Sequence, residues 1–491
     1  MRRFKERRFI NVAMLLKVTG WLLMIEGAFM LIPTLVCLFY RESDWLPFAA
    51  GSAITTLTGF LMTRRIKAHT SRMGRREGFL LTASVWIVFS LFGMIPLIFS
   101  ATPLSVTDAF FETISGFTTT GASVYPSAEV LSHGLHIWRA LMQWIGGMGI
   151  ILFTLAVIPM LNSAGGMQMF NAEVTGITHD KVSPRISQTA KALWILYITL
   201  TLVCFSLLAL GPMNVFDSVC YAFGTTSTGG YSTKNSIEFF QSDYVKSVIT
   251  VFMFLSSVNF TLIIRSINNG LRRLWTDEIF RAFAVVSVIA TIIVSLSLLI
   301  DSHASGASDL ILDPLFQVVS AFTSTGYAIG SLSTWSPFVI TIITILVFIG
   351  GCSGSTTGGV KIDRILYLAK YCRNELYRCV HPNAVTSVRI NGRVQSQSVV
   401  RRVAVFFCLF IGLLIFGVLL MTMSGMDIGD SFMAGILCVS NSALDISNIS
   451  FGANFGLIPT GAKWVLSAMM LIGRLELFTV LILLTPAFWR K

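Results

Sequence analysis

Charge is what this sequence has least of. Only 12% of its 491 residues are Asp, Glu, Lys or Arg, against 54% that are apolar, whereas a soluble domain carries about 25% charged residues. That scarcity excludes a soluble globular enzyme and a disordered chain. The eight cysteines contain no CxxC pair and the six histidines show no ligand spacing, so neither a disulfide framework nor a zinc-type cluster is expected. No HExxH and no nucleophile–base motif lies in the apolar runs, which argues against an intramembrane enzyme.

What the chain has instead is long apolar runs. About 20 apolar residues cross a ~30 Å hydrocarbon core. Runs of that order lie near 11–39, 45–62, 77–100, 136–161, 188–211, 245–265, 280–301, 335–360, 401–424 and 462–488. The first follows a basic head but is too long for a signal-peptide core and lacks a small-x-small cleavage site, so it reads as a retained span. The net charge of +12 follows the same frame. Blocks of five Lys and Arg in the head (Arg2, Arg3, Lys5, Arg7, Arg8), six in 64–76, three in 181–191, four in 265–281, nine in 361–402 and two at Arg490 and Lys491 hold 29 of the 36. All fall on one side of such a ten-span chain. Retention of positive charge on the cytoplasmic side makes the basicity a topology signal and not a nucleic-acid surface. Both termini are then cytoplasmic.

After the first two spans an internal pattern recurs four times on the opposite side. The stretches begin at Asp108 (DAFFETISGFTTTGAS), Asp217 (DSVCYAFGTTSTGGYS), Asp313 (DPLFQVVSAFTSTGYA) and Asp430 (DSFMAGILCVSNSALD). From each Asp to the last small residue of the Thr-Gly-like step (Gly121, Gly229, Gly326, Ala443) is 12 or 13 positions. About 11 helical residues rise ~16 Å, half the membrane core. Such a segment enters and returns, and its non-helical backbone has to line a cavity. Asp suits the helix start by capping and by charge against the dipole. The far end presents partial negative charge at mid-membrane, and the glycines can turn carbonyls inward. Four such loops make a ring of carbonyl dipoles able to replace a cation's hydration shell.

With the segments QWIGGMGI from Gln143, STGGYS from Ser227, FMFLSSVNF from Phe252, GGCSGSTTGGVKIDR from Gly350 and LIGRLELFTVLILLTPAFW from Leu471, the chain resembles the potassium uptake subunits of the Trk/Ktr/HKT superfamily, in particular the TrkH type. The resemblance covers Asn11 to Lys491. It implies an all-α polytopic membrane protein of the bacterial cytoplasmic membrane, with two N-terminal spans and then four span–pore-loop–span repeats around one central pore. The corresponding boundaries are 1–76, 77–187, 188–279, 280–400 and 401–491. It further implies K⁺ as the transported ion with no organic cofactor, a homodimer in membrane lipid, and a cytosolic TrkA-like ring that binds nucleotide. Carried over residue by residue, the filter comprises Thr119, Thr120, Gly121 and Ala122, then Ser227, Thr228, Gly229 and Gly230, then Ser324, Thr325, Gly326 and Tyr327. The fourth loop, with Asn441, Ser442 and Ala443, departs from the family's glycine-containing pattern. An L-residue held in a left-handed conformation costs roughly 1–2 kcal/mol, so either the fourth carbonyl points elsewhere or packing enforces the strain. That leaves a less selective Na⁺/K⁺ pore, or a cation-coupled carrier, as alternatives.

Two further features lie in the apolar runs. Gly350, Gly351, Gly354, Gly358 and Gly359 interrupt the eighth run, each costing about 1 kcal/mol in a helix interior, so the span should break there. The readings are close helix packing through small residues or, by the resemblance, an intramembrane loop occluding the pore. A phosphate loop would need a GK[ST] ending, and Lys361 is followed by Ile362. Arg474 lies in the last run, where an unpaired charge is costly. Two residues on from it, Glu476 faces away on a helix, and Glu26 in the first run is an available partner for either. By the resemblance, Arg474 projects into the pore as a barrier to cations. All four pore-loop stretches share one polarity, which argues against an inverted-repeat carrier.

Overall fold

The structure, a computed structural model, describes residues 10–66, 74–149, 186–300, 307–330, 332, 335–444 and 454–490. The basic head, Lys67, Arg72, residues 150–161 of the fourth apolar run, Lys181, Arg185, Asp445 and Lys491 lie outside them.

Helices occupy every apolar run. Asn11 caps the first, its side chain accepting from the Met14 amide, and Val12–Phe29 continues through Leu31–Tyr40 as one 29-residue span. It packs on Trp45–Arg65 where glycines meet: a Cβ on Gly20 would sit 2.8 Å from the Gly59 carbonyl oxygen. Ser52 fastens the same seam, donating its hydroxyl to the Gly27 carbonyl at 2.6 Å. Without hydrophobic drive between helices in lipid, close backbone approach of this kind is what holds spans together.

Six helices of the described residues are long and apolar enough to cross a membrane unbroken, and two bent pairs raise that to eight. Two of the runs expected from sequence are sharply bent. The run at 245–265 is Asp243–Ser256 and Phe260–Asn269, bent by 97°, and the run at 462–488 is Thr460–Arg474 and Phe478–Leu484, bent by 108°. The eighth run forms only Pro337–Ile349 before the glycines, and helix resumes at Ile362.

Four short helices follow the four acidic stretches: Val106–Phe117, Val215–Thr226, Ala307–Phe322 and Ile428–Val439. Three have 12 residues, or ~18 Å, about half a bilayer core. Their caps are not the acidic residues expected. Ser105, Asn214 and Asp427 accept the first free amides. Asp108, Asp217 and Asp430 stand in the first turn, where negative charge still favours the dipole. Two of the expected aspartates anchor neighbouring helices. Asp108 pairs with Lys463 of Thr460–Arg474, and Asp313 with Lys246 of Asp243–Ser256 at 2.7 Å.

The Lys246–Asp313 pair is about nine-tenths buried on each side, so removing one partner strands a charge. Lys246→Met should destabilise the protein by about 3 kcal/mol, and Lys246→Met with Asp313→Asn by distinctly less. Thermal unfolding of purified protein in detergent measures both.

Candidate ion-conduction site

Each short helix ends in the same turn. In the first, the Thr119 amide donates to Gly116 at 3.0 Å and the Thr120 amide to Ser115 at 2.9 Å. Thr228 and Gly229, Ser324 and Thr325, and Asn441 and Ser442 repeat those two bonds with the same spacings. This is the Schellman C-cap, whose turning residue is left-handed and usually glycine. In this chain it is Thr119 (φ 54°), Thr228 (φ 54°), Ser324 (φ 57°) and Asn441 (φ 49°). A threonine or serine held there costs roughly 1–2 kcal/mol, and asparagine somewhat less.

Two residues further on, Gly121, Gly230 and Gly326 are also left-handed, with φ of 84°, 80° and 86°. The second loop's register therefore differs by one from the sequence expectation. Gly230, not Gly229, matches Gly121, and Gly229 matches Thr120. A uniform spacing of 13 from each Asp carries the same signal, for it leads from Asp217 to Gly230. The fourth loop keeps the Schellman turn but not the second one. Ala443 is absent from the left-handed residues, so of the two alternatives, the loop has taken a different path and stores no strain there.

The loops meet in a closed ring. A Cβ on Gly121 would overlap the Gly229 carbonyl oxygen, one on Gly230 the Thr325 carbonyl oxygen, and one on Gly326 would lie 3.3 Å from the Ala443 nitrogen. Asn441 closes the circle, donating from Nδ2 to Thr120 Oγ1 at 3.1 Å. On one side of the ring, Gly121, Gly230, Gly326 and Ala443, one residue from each loop, line a single cavity of about 130 Å³. Thr119, Thr120, Ser227, Thr228, Ser324, Thr325, Asn441 and Ser442 are buried at 1% exposure or less. Among the described residues, the hydroxyls of Ser324, Ser440 and Ser442 and the Asn441 Oδ1 have no hydrogen-bond partner.

On the other side of the ring lies the glycine-rich segment. A Cβ on Gly358 would overlap the Ser440 carbonyl oxygen, and one on Gly350 the Gly358 carbonyl oxygen. Thr356 takes a hydrogen bond from the Thr228 hydroxyl at 3.2 Å and donates to the Ser256 carbonyl at 3.2 Å. Gly350, Gly354 and Gly359 are left-handed, while Gly351 and Gly358 serve close approach. Arg474 joins the same assembly. Its guanidinium donates to the Thr356 carbonyl at 2.7 Å and to the Gly146 and Gly147 carbonyls at 2.7 and 3.0 Å, the C-terminal end of His133–Gly147.

The ion partners considered from sequence are arranged otherwise. Glu476 pairs with Arg364 at 2.6 Å, and Arg364 in turn stacks on Phe406 at 3.9 Å. Glu26 bonds neither Arg474 nor Glu476; both its carboxylate oxygens are buried without a hydrogen-bond partner among the described residues.

Sequence reasoning also missed the braces behind the loops. Glu112, wholly buried, bonds the Val124 amide at 2.9 Å and the Arg139 guanidinium at 2.8 Å. Gln317 does the same for the third loop, accepting from the Ile329 amide at 3.2 Å. Each stands four residues after its Asp and bonds an amide 12 residues on. That repeated polar position was the available signal. Gln143 holds the second loop, donating to the Gly229 carbonyl at 2.6 Å and accepting from the Tyr231 amide at 3.0 Å.

A helical membrane protein with half-length helices converging on one polar ring is a transport architecture, and comparison with known proteins agrees. The family model TrkH, described as a cation transport protein, matches residues 47–491. The Trk system potassium uptake protein TrkH of Escherichia coli (strain K12) is 36% identical over 97% of this chain and 99% of its own. TrkH of Halomonas elongata is 36% identical over 98% and 100%. The crystal structure of the potassium transporter TrkH from Vibrio parahaemolyticus superposes with a TM-score of 0.88 at 34% identity, covering 98% of this chain and 100% of that one. The chain belongs to the TrkH family of cation transport proteins, a family of transporters and not of enzymes.

Because Ala443 carries no left-handed strain, Ala443→Gly should not stabilise the protein. Added backbone freedom in the unfolded chain should instead lower stability by about 0.5–1 kcal/mol. A melting temperature raised by the substitution would contradict the geometry found for the fourth loop.

Proposed function

We propose that this chain takes up potassium across the bacterial cytoplasmic membrane through the four-loop ring. The observation that carries the proposal is the convergence of one residue from each loop on one cavity, with the same helix-terminal turn behind every one. The C-terminal dipoles of the short helices favour a cation at the ring. Carbonyls and hydroxyls of Thr119, Thr120 and Gly121, of Ser227, Thr228, Gly229 and Gly230, of Ser324, Thr325 and Gly326, and of Asn441, Ser442 and Ala443 are the proposed filter. The Gly229 carbonyl also serves the Gln143 amide. Unpartnered hydroxyls in the ring support an ion or its water as their partner.

Gly350, Gly351, Gly354, Gly358, Gly359 and Arg474 form the barrier on the cytoplasmic side. The rest of the proposal follows the family: cytoplasmic termini, a homodimer of complete pores divided as 1–76, 77–187, 188–279, 280–400 and 401–491, and gating by a cytosolic TrkA-like nucleotide-binding ring. K⁺ entry is downhill at a negative interior, each charge gaining ~2.3 kcal/mol per 100 mV. A second reading, a pore that passes Na⁺ nearly as well as K⁺, draws on one observation: the fourth loop lacks the second left-handed residue that Gly121, Gly230 and Gly326 supply in the other three.

The test is a permeability ratio in reconstituted protein. Gly121→Ser places a Cβ against the Gly229 carbonyl at a left-handed position. A folded variant should lose most of its K⁺/Na⁺ preference, and an unchanged ratio would count against Gly121 as a filter residue. Arg474→Ala tests the barrier. A fixed charge ~5 Å from a cation's path repels it by roughly 3 kcal/mol at an effective dielectric of ~20, about two orders of magnitude in rate. Basal K⁺ flux without the cytosolic partner should therefore rise, by up to ~100-fold. A folded variant with wild-type flux would sink that role for Arg474.

A further inference from the structure

We infer that Gln143 is a positioning residue for ion selectivity, the side chain that sets the path of the second loop. The inference rests on the ring being the ion-selecting element. In the first and third loops a hydroxyl pair stiffens the turn: Thr118 with Thr120 at 2.8 Å and Thr323 with Thr325 at 2.7 Å. The second loop has Gly229 where those loops have Thr120 and Thr325, so it has no hydroxyl with which to make that pair. Gln143 occupies the space instead. A Cβ on Gly229 would lie 2.6 Å from Gln143 Oε1 and 2.8 Å from its Cγ. The two adjacent glycines thus have different reasons. Gly229 admits the brace, and Gly230 supplies the left-handed turn at φ 80°.

The brace holds the loop on both sides of that turn. Gln143 is fully buried on His133–Gly147. Its Nε2 donates to the Gly229 carbonyl at 2.6 Å and its Oε1 accepts from the Tyr231 amide at 3.0 Å. A carboxamide supplies a donor and an acceptor side by side, so one residue can grip both edges of a single-residue turn. The residue between those edges, Gly230, lines the cavity over the ring. Gln143 itself is not among the residues lining that cavity. It acts through the backbone it fixes.

The experiment compares Gln143→Leu, which removes both bonds at similar volume, with Gln143→Glu, which keeps the acceptor. K⁺/Na⁺ permeability ratios are read in proteoliposomes beside melting temperatures. Gln143→Leu should lower the ratio roughly fivefold or more, the size of one net hydrogen bond, with Gln143→Glu between it and wild type. A purely structural role would lower the melting temperature or yield and leave the ratio at its wild-type value, which overturns the inference. Should Gln143→Leu not fold, a wild-type ratio in Gln143→Glu overturns it equally. Gly121→Ser separates the two levels. If that change shifts the ratio and Gln143→Leu does not, the brace alone is wrong. If neither shifts it, the filter reading fails and takes this inference with it.

Discussion

A backbone carbonyl freed from a helix in the middle of a membrane must find another protein group or a hydrated cavity, because lipid offers it nothing. The chain meets that constraint four times at one place. Each short helix stops halfway and turns through a left-handed residue. Thr119, Thr228, Ser324 and Asn441 hold that conformation although none is glycine. Strain of this kind persists only where the surroundings over-determine it.

Those surroundings are concrete. Side-chain braces from Glu112, Gln143 and Gln317 hold the returning strands of three loops, and Asn441 ties the fourth loop to the first. The outer ends of the short helices are fixed by the Asp108–Lys463 and Asp313–Lys246 pairs. On the opposite side the glycine-rich segment is pressed against Ser440 and bonded to Thr228. Arg474 spans from that segment to the end of His133–Gly147. Its guanidinium donates to three backbone carbonyls there, which fixes a cationic group beside the ring.

Much of this was legible in the sequence because it is written in residue types with narrow physical uses. Acidic starts, half-length apolar stretches and Thr-Gly steps identified four re-entrant segments, and five glycines in ten residues marked the broken span. The second loop's register slipped by one because two glycines stand side by side, and a uniform spacing from the Asp would have resolved it. Ala443 could be read as strained or displaced; only the backbone angle decides. The bends after Ser256 and Arg474 were invisible, since neither Ser257-Val258-Asn259 nor Leu475-Glu476-Leu477 contains a glycine or proline. Glu26 could be assigned partners on paper that the packing of the first span does not bring near it.

The central claim is that the ring selects potassium. The most direct measurement is the reversal potential of the purified wild-type protein in a planar bilayer, with K⁺ on one side and Na⁺ on the other. The account predicts a potential displaced well toward the K⁺ equilibrium value, and flux that continues with no coupling ion present. A reversal near zero would mean that the fourth loop's different path leaves the ring unable to tell the two ions apart, and would contradict it.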